Sequence, residues 1–387
     1  MKLLIERAVV VSSREIIRNG FILVENGLVK RVGRESEKPL DVEARLNAEG
    51  MLVVPGFLDT HTHGIHGLDI INDNSPDSVL EMGKYYVKHG VTGFLPSTVT
   101  APYEAIQSAC KSVKEAIGSW TPEHGAKPLG IHLEGPWINP EFTGAQNREY
   151  IKEPSIKDFK ALYEIAGSII KQLTIAPELP GAMELIRLAS SLGIVVSAGH
   201  TNADYEIGLE SVKAGVRKAT HLFNAMVRFN HRKPGIVLAL LQSPEVYLEL
   251  IVDFVHLHPA VVRFVVEYAG SDRVVVVSDS IAAADMPDGK YKLGGLEVEV
   301  VGGVCKLSGR DVLAGSTLTM DVAFRNLLSL NYSLSDAVKI TSLTPAKSVG
   351  VNSRGDIAPG FYADLAMLNE KLHVEKTFIN GELVYER

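Results

Sequence analysis

The stretch Val53-Val-Pro-Gly-Phe-Leu-Asp-Thr-His-Thr-His63 decides the reading of this chain. An apolar, strand-like run ends by presenting two histidines two residues apart. Alternation along a strand turns His61 and His63 to the same face. Two neutral imidazoles converging at a strand end can hold a divalent cation, and imidazole suits zinc, iron, nickel or copper better than magnesium or calcium. The pair gains weight because Glu134, His200, His221 and Asp279 each close another short apolar run.

Working outward, apolar runs recur at 52–59, 91–99, 128–134, 171–177, 193–198, 217–222, 247–253 and 273–278, with helix-like stretches between them, such as 76–89, 101–117 and 181–192. About eight strands alternating with helices is the number that closes a parallel (β/α)8 TIM-like barrel. Strands buried on both sides should read as continuous apolar runs, and Arg273-Val-Val-Val-Val-Ser278 does. His61/His63, Glu134, His200, His221 and Asp279 then follow strands one, three, five, six and eight at their carboxyl ends, the rim on which barrel enzymes carry chemistry.

Residues 1–54 read as a small β-meander, with Asn19-Gly20 and Asn26-Gly27 as turns. A matching pattern returns at 353–387, with a final hairpin around Asn380-Gly381. The expected architecture is α/β: a barrel over 55–352 and a second, small β-sandwich domain built from both chain termini. A Gly-rich stretch at 284–312 reads as a β-hairpin inserted before the last helices.

Composition narrows the partners. The chain has 387 residues and a net charge of -7, from 39 basic and 46 acidic residues, with no basic stripe for a nucleic acid. The start, Met-Lys-Leu-Leu-Ile-Glu-Arg, reaches charge too soon for a secretory signal, and no apolar run approaches the roughly 20 residues that cross a bilayer. Cys110 and Cys305 are isolated and read as core thiols. A cytoplasmic protein acting on a small molecule, with no nucleic acid or membrane partner, is expected.

Four histidines and Glu134 exceed the four ligands of a closed zinc site, so they hold either one cation loosely or two bridged by Glu134. Strand four ends in Ala176-Pro177-Glu178 and offers no lysine for a carbamylated bridge. Asp279 is read as the general base and acid, against the plainer role of a helix N-cap. Asn224 and Ala225 follow His221 and are placed to bind substrate. Arg232, in His231-Arg-Lys-Pro-Gly235, is a fork suited to phosphate, and His256 is placed to polarise a carbonyl.

These residues resemble those of the amidohydrolase superfamily and, within it, the N-acetylglucosamine-6-phosphate deacetylases. The resemblance is carried by Pro55-Gly-Phe-Leu-Asp-Thr-His-Thr-His-Gly64, Gly130-Ile-His-Leu-Glu-Gly-Pro136, Ala198-Gly-His-Thr201, Thr220-His-Leu-Phe-Asn-Ala-Met226 and Leu313-Ala-Gly-Ser316. It implies that Glu134, His200 and His221 hold the main metal and that His61 and His63 serve a second. It places Asn224, Ala225, Arg232 and His256 around a sugar phosphate, with Arg232 donated by the neighbouring subunit of a homodimer. Gln146 matches a substrate-loop position that is histidine in some relatives, while Ser280-Ile281 and Asp285 depart from the family pattern.

The implied reaction is hydrolysis of the N-acetyl group of N-acetylglucosamine 6-phosphate by a metal-activated hydroxide. One or two divalent metals are expected, zinc or iron first, with cobalt, nickel or manganese as alternatives. Another N-acetyl amino sugar (galactosamine 6-phosphate, or an unphosphorylated sugar), a cyclic amide as in dihydroorotase or hydantoinase, or a non-catalytic scaffold on a decayed barrel are the competing readings.

Overall fold

A computed structural model describes residues 2–387. Eight parallel strands form the barrel: Phe57–Thr62, Val91–Pro96, Ile131–Glu134, Ile170–Ile175, Val195–Ala198, Val216–Ala219, Tyr247–Ile251 and Val274–Val277. Strands three to eight pair in sequence order in one continuous ladder, and strand one pairs with strand two. Two joints close the cylinder. The Thr98 amide donates to the His132 carbonyl at 2.9 Å, and the Asp279 amide donates to the His61 carbonyl at 2.9 Å. Beside the second joint, Asp59 accepts from the Ser278 amide and hydroxyl, so side chains share in that closure.

Helices cover the outside, among them Pro76–Tyr86, Tyr103–Ser119, Ala182–Ser191 and Met320–Ser329. The helix that follows Ser75 starts there because the Ser75 hydroxyl accepts from the Ser78 amide and Pro76 fits the first turn. The strands bury both faces, and Val274–Val277 is wholly inaccessible to solvent. That burial is why the sequence there carries no polar alternation.

The strands of the two chain ends share one eight-stranded sheet. Leu52–Pro55 lies between Leu365–Leu368, antiparallel, and Lys2–Val11, parallel. This sheet has its own core, including Ile5, Val10, Ile22, Leu365 and Phe378. The run read as one strand over 52–59 is two: 52–55 belongs to the terminal sheet and 57–62 to the barrel. Gly56 makes the passage, where a Cβ would stand 2.2 Å from Thr92 Cγ2. The Gly-rich stretch after strand eight contains three antiparallel strands, Gly289–Leu293, Leu296–Val301 and Val304–Leu307.

Candidate metal centre and active site

Each functional side chain is delivered by the end of a barrel strand. His61 lies inside strand one and His63 just beyond it, Glu134 ends strand three, and His200, His221 and Asp279 each stand two residues past strands five, six and eight. His200, His221 and Asp279 have φ of 49°, 30° and 50°. Left-handed backbone at non-glycine residues is costly and persists where the surroundings enforce it. Here it turns three polar side chains inward over the barrel mouth.

Glu134 is the hub. Its Oε1 lies 3.2 Å from His200 Nε2, 3.1 Å from His221 Nε2 and 3.5 Å from His61 Nε2, while Oε2 lies 3.3 Å from His63 Nε2. Asp279 Oδ1 lies 3.0 Å from His63 Nε2 and 3.3 Å from His61 Nε2. The donors therefore form two groups, His61/His63/Asp279 and Glu134/His200/His221, within each of which all ligand atoms lie within 4.8 Å of one another.

The donor set fits a divalent cation on three observations. His63 Nδ1 faces the Ser97 carbonyl at 3.2 Å and His200 Nδ1 faces the Phe142 carbonyl at 2.9 Å, so each carries its proton there and leaves Nε2 as a lone pair. His61 Nδ1 likewise faces the Glu249 carboxylate at 3.0 Å. Its Nε2 is then buried, without a hydrogen-bond partner among the described residues, and turned toward two carboxylates. A lone pair facing anions calls for a cation between them.

Burial pushes the Glu134 carboxyl up, and positive charge facing it, whether on His61, His200 and His221 when protonated or on a cation bound in their place, outweighs burial and holds it well below the usual carboxylate range. Burial also pushes Asp279 up, and positive charge at His61 and His63, or on a cation between them, outweighs it in turn. Both side chains are held as carboxylates.

A cavity of about 230 Å3 opens onto this centre. Nine of the eleven residues singled out in the sequence line it: His63, Glu134, Gln146, His200, His221, Asn224, Ala225, His256 and Asp279. His61 is fully buried beneath the others. Gln146 is drawn against Glu134 as well as the cavity, its Nε2 donating to Glu134 Oε2 at 2.6 Å. His256 Nδ1 is 2.7 Å from Asp253 Oδ2. Burial lowers the pKa of His256, but Asp253 outweighs it and raises it overall, favouring a protonated donor at the cavity wall.

Arg232 is not brought to this cavity by its own chain. It is exposed on the turn closed by Asn230 and Lys233.

Two residues that the sequence reading passed over lie under the centre: Glu249 in strand seven and Lys218 in strand six, both fully buried and 2.9 Å apart. The available signal was a charge inside an apolar run, Tyr247-Leu-Glu-Leu-Ile251. A buried charge needs a partner, and the partners come from other strands.

The amidohydrolase family profile matches residues 52–384. The chain belongs to the amidohydrolase family. It is 35% identical to the N-acetylglucosamine-6-phosphate deacetylase of Bacillus subtilis (strain 168), over 99% of this chain and 97% of that relative. It is also 35% identical to the N-acetylgalactosamine-6-phosphate deacetylase of Escherichia coli O157:H7, over 89% of this chain and 90% of that one. Among solved structures, a variant N-acetyl-D-glucosamine-6-phosphate deacetylase from Mycobacterium smegmatis, in complex with N-acetyl-D-glucosamine 6-phosphate, superposes with a TM-score of 0.92 at 32% identity, covering 99% of each chain. Membership in this family implies a divalent metal, and the two donor groups are side chains that could hold one.

Proposed function

We propose that this protein hydrolyses the N-acetyl group of N-acetylglucosamine 6-phosphate, giving acetate and glucosamine 6-phosphate. The observation that carries the reading is the meeting of Asp279 with Glu134, His200 and His221 at one cavity, in a chain about 35% identical to deacetylases of that name along nearly its whole length. Glu134, His200 and His221 would hold the principal cation, and His61 and His63 a second. Imidazole and carboxylate together favour zinc or iron, with cobalt, nickel or manganese as substitutes. When bound, a divalent cation supplies Lewis acidity toward water and the amide carbonyl.

The chain's own groups account for the proton traffic. Asp279 Oδ takes a proton from the attacking water as its oxygen bonds to the acetyl carbon. The same carboxyl returns the proton to the amide nitrogen as the C–N bond breaks, so the amine leaves neutral. His256, braced by Asp253, donates a hydrogen bond from Nε2 to the carbonyl oxygen as negative charge develops on it. Asn224 and the Ala225 backbone bind the sugar, and Gln146 holds the Glu134 carboxylate in place.

Arg232, exposed and outside the lining of its own cavity, suits a role in the neighbouring site of a homodimer, where its guanidinium would pair with the 6-phosphate. A phosphorylated sugar does not cross membranes unaided, which fits action in the cytoplasm. No helix among the described residues is long and apolar enough to cross a membrane.

The test is acetate release from a panel of N-acetyl sugars with and without the 6-phosphate. Fastest turnover of N-acetylglucosamine 6-phosphate is the expected result. Preference for the galacto isomer would move the chain to the second reading, which the Escherichia coli relative favours. No acetate from any of them, together with ring opening of a cyclic amide, would refute both.

A further inference from the structure

The barrel interior beneath the metal ligands holds a closed polar network whose geometry assigns a role to a residue that does not line the cavity. Glu249 accepts at four points. Its Oε1 faces Lys218 Nζ at 2.9 Å and Gln172 Nε2 at 2.8 Å, and its Oε2 faces His61 Nδ1 at 3.0 Å and the His221 amide at 3.2 Å. Lys218 is equally committed: its three N–H groups meet Glu249, Thr60 Oγ1 at 3.0 Å and Gln172 Oε1 at 2.8 Å. All of these side chains are inaccessible to solvent.

A carboxylate whose lone pairs are all taken has no capacity left to bind a cation itself, but it does fix what it touches. An ionised Glu249 can only accept, so the proton of His61 sits on Nδ1 and Nε2 is presented to the centre. The same oxygen also holds the backbone of His221. His61 belongs to one donor group and His221 to the other, so a single buried oxygen ties the two together.

We propose that Glu249, anchored by Lys218, is a positioning residue for the metal centre: it sets the ligand tautomer of His61 and couples the two donor groups, and so governs binding of the second cation. This rests on the two-cation reading above. Partners behind metal-ligating histidines commonly matter by 10–100-fold in metal affinity.

The experiment measures zinc equivalents per chain by equilibrium dialysis against buffered free zinc, for wild type, H61A, E249Q and the double variant K218M/E249Q. Wild type should bind two equivalents and H61A one. E249Q should keep the first at wild-type affinity and bind the second 10–100-fold more weakly. The double variant leaves no lysine facing a neutral side chain and stands in if E249Q does not fold.

Long-range proton–nitrogen spectra of zinc-loaded, histidine-labelled wild type give a second readout. They should show His61, identified by its loss in H61A, protonated at Nδ1. Two equivalents in wild type and one in H61A, with an unweakened second equivalent in the Glu249 variants, overturn the positioning role alone. His61 protonated at Nε2 overturns it even if no variant folds. One equivalent or none in wild type, or no change in H61A, overturns the two-cation reading itself and the inference with it.

Discussion

His200 Nε2 and His221 Nε2 lie 3.1 Å apart, with Glu134 Oε1 within 3.2 Å of both. His200 Nδ1 donates to the Phe142 carbonyl, whereas His221 Nδ1 has no hydrogen-bond partner among the described residues. With His221 also presenting its Nε2 lone pair, three electron-rich atoms would crowd one point, and a cation there would turn their mutual repulsion into attraction. Chelation is therefore expected to remove activity and to lower thermal stability. A cation present at 100 times its dissociation constant contributes about 2.7 kcal/mol, so the melting temperature should fall by several degrees and return on adding zinc or iron. An unchanged melting temperature after complete metal removal would argue against a cation at this point.

Replacing Asp279 with asparagine keeps the side chain's shape but removes its capacity to carry a proton. We expect kcat to fall by about 10²–10⁴-fold, while the metal held by Glu134, His200 and His221 stays bound by elemental analysis. Near-normal turnover would remove Asp279 from its assigned role.

Arg232 offers a test of subunit sharing. Arg232→Ala should lower kcat/KM for the 6-phosphate substrate by about 10–100-fold, the worth of a charged hydrogen bond, and leave an unphosphorylated sugar unaffected. If the arginine serves the neighbouring site, mixed dimers of Arg232→Ala with Asp279→Asn regain one intact site. Activity that does not rise on mixing would place the arginine elsewhere.

Lys218 is expected to dominate stability more than its distance from solvent suggests. Lys218→Met leaves the Glu249 carboxylate buried without its counter-ion, a loss of about 3–5 kcal/mol for a broken buried pair. Urea unfolding should show this. K218M combined with E249L removes both charges and should recover most of the loss, although the His61 contact goes with it.

His89 gives a pH dependence away from the metal. Its Nδ1 is 3.0 Å from Asp321 and its Nε2 is 3.7 Å from Asp285. Burial lowers its pKa, but Asp285 and Asp321 outweigh it and raise it to about 9. The charged form is thus favoured by folding. The stabilisation is fully present below the ordinary value of 6.5 and is lost as pH climbs through about 9. At about 1.4 kcal/mol per unit, the rise amounts to about 3 kcal/mol. Wild type should lose this between pH 7 and 10, and His89→Gln should lack that part of the slope.

The barrel and its rim were legible because each chemical group closes an apolar run, a pattern local enough to see in one dimension. His61 and His63 announced themselves by spacing, and Asp279 by following four valines. Glu249 and Lys218 did not, because their meaning lies in partners 188 and 158 residues away, His61 and Thr60. The break between the two strands at 52–55 and 57–62 was hidden for a related reason. Apolar side chains continue across it, and only the crowding of Gly56 against Thr92 shows where the chain changes sheets. Arg232 could be singled out as a fork suited to phosphate, but its position outside its own cavity depends on tertiary structure.

Leu365–Leu368 borders Leu52–Pro55, which runs directly into the strand bearing His61. Every residue lining the cavity lies at or before Gly315, yet a strand well beyond it shares in mooring that first strand. A premature stop ahead of Leu365 would spare every cavity-lining residue and still remove this strand from beside Leu52–Pro55. Such alleles should behave as losses of function, and a cargo fused to the carboxyl end needs a spacer that leaves this mooring undisturbed.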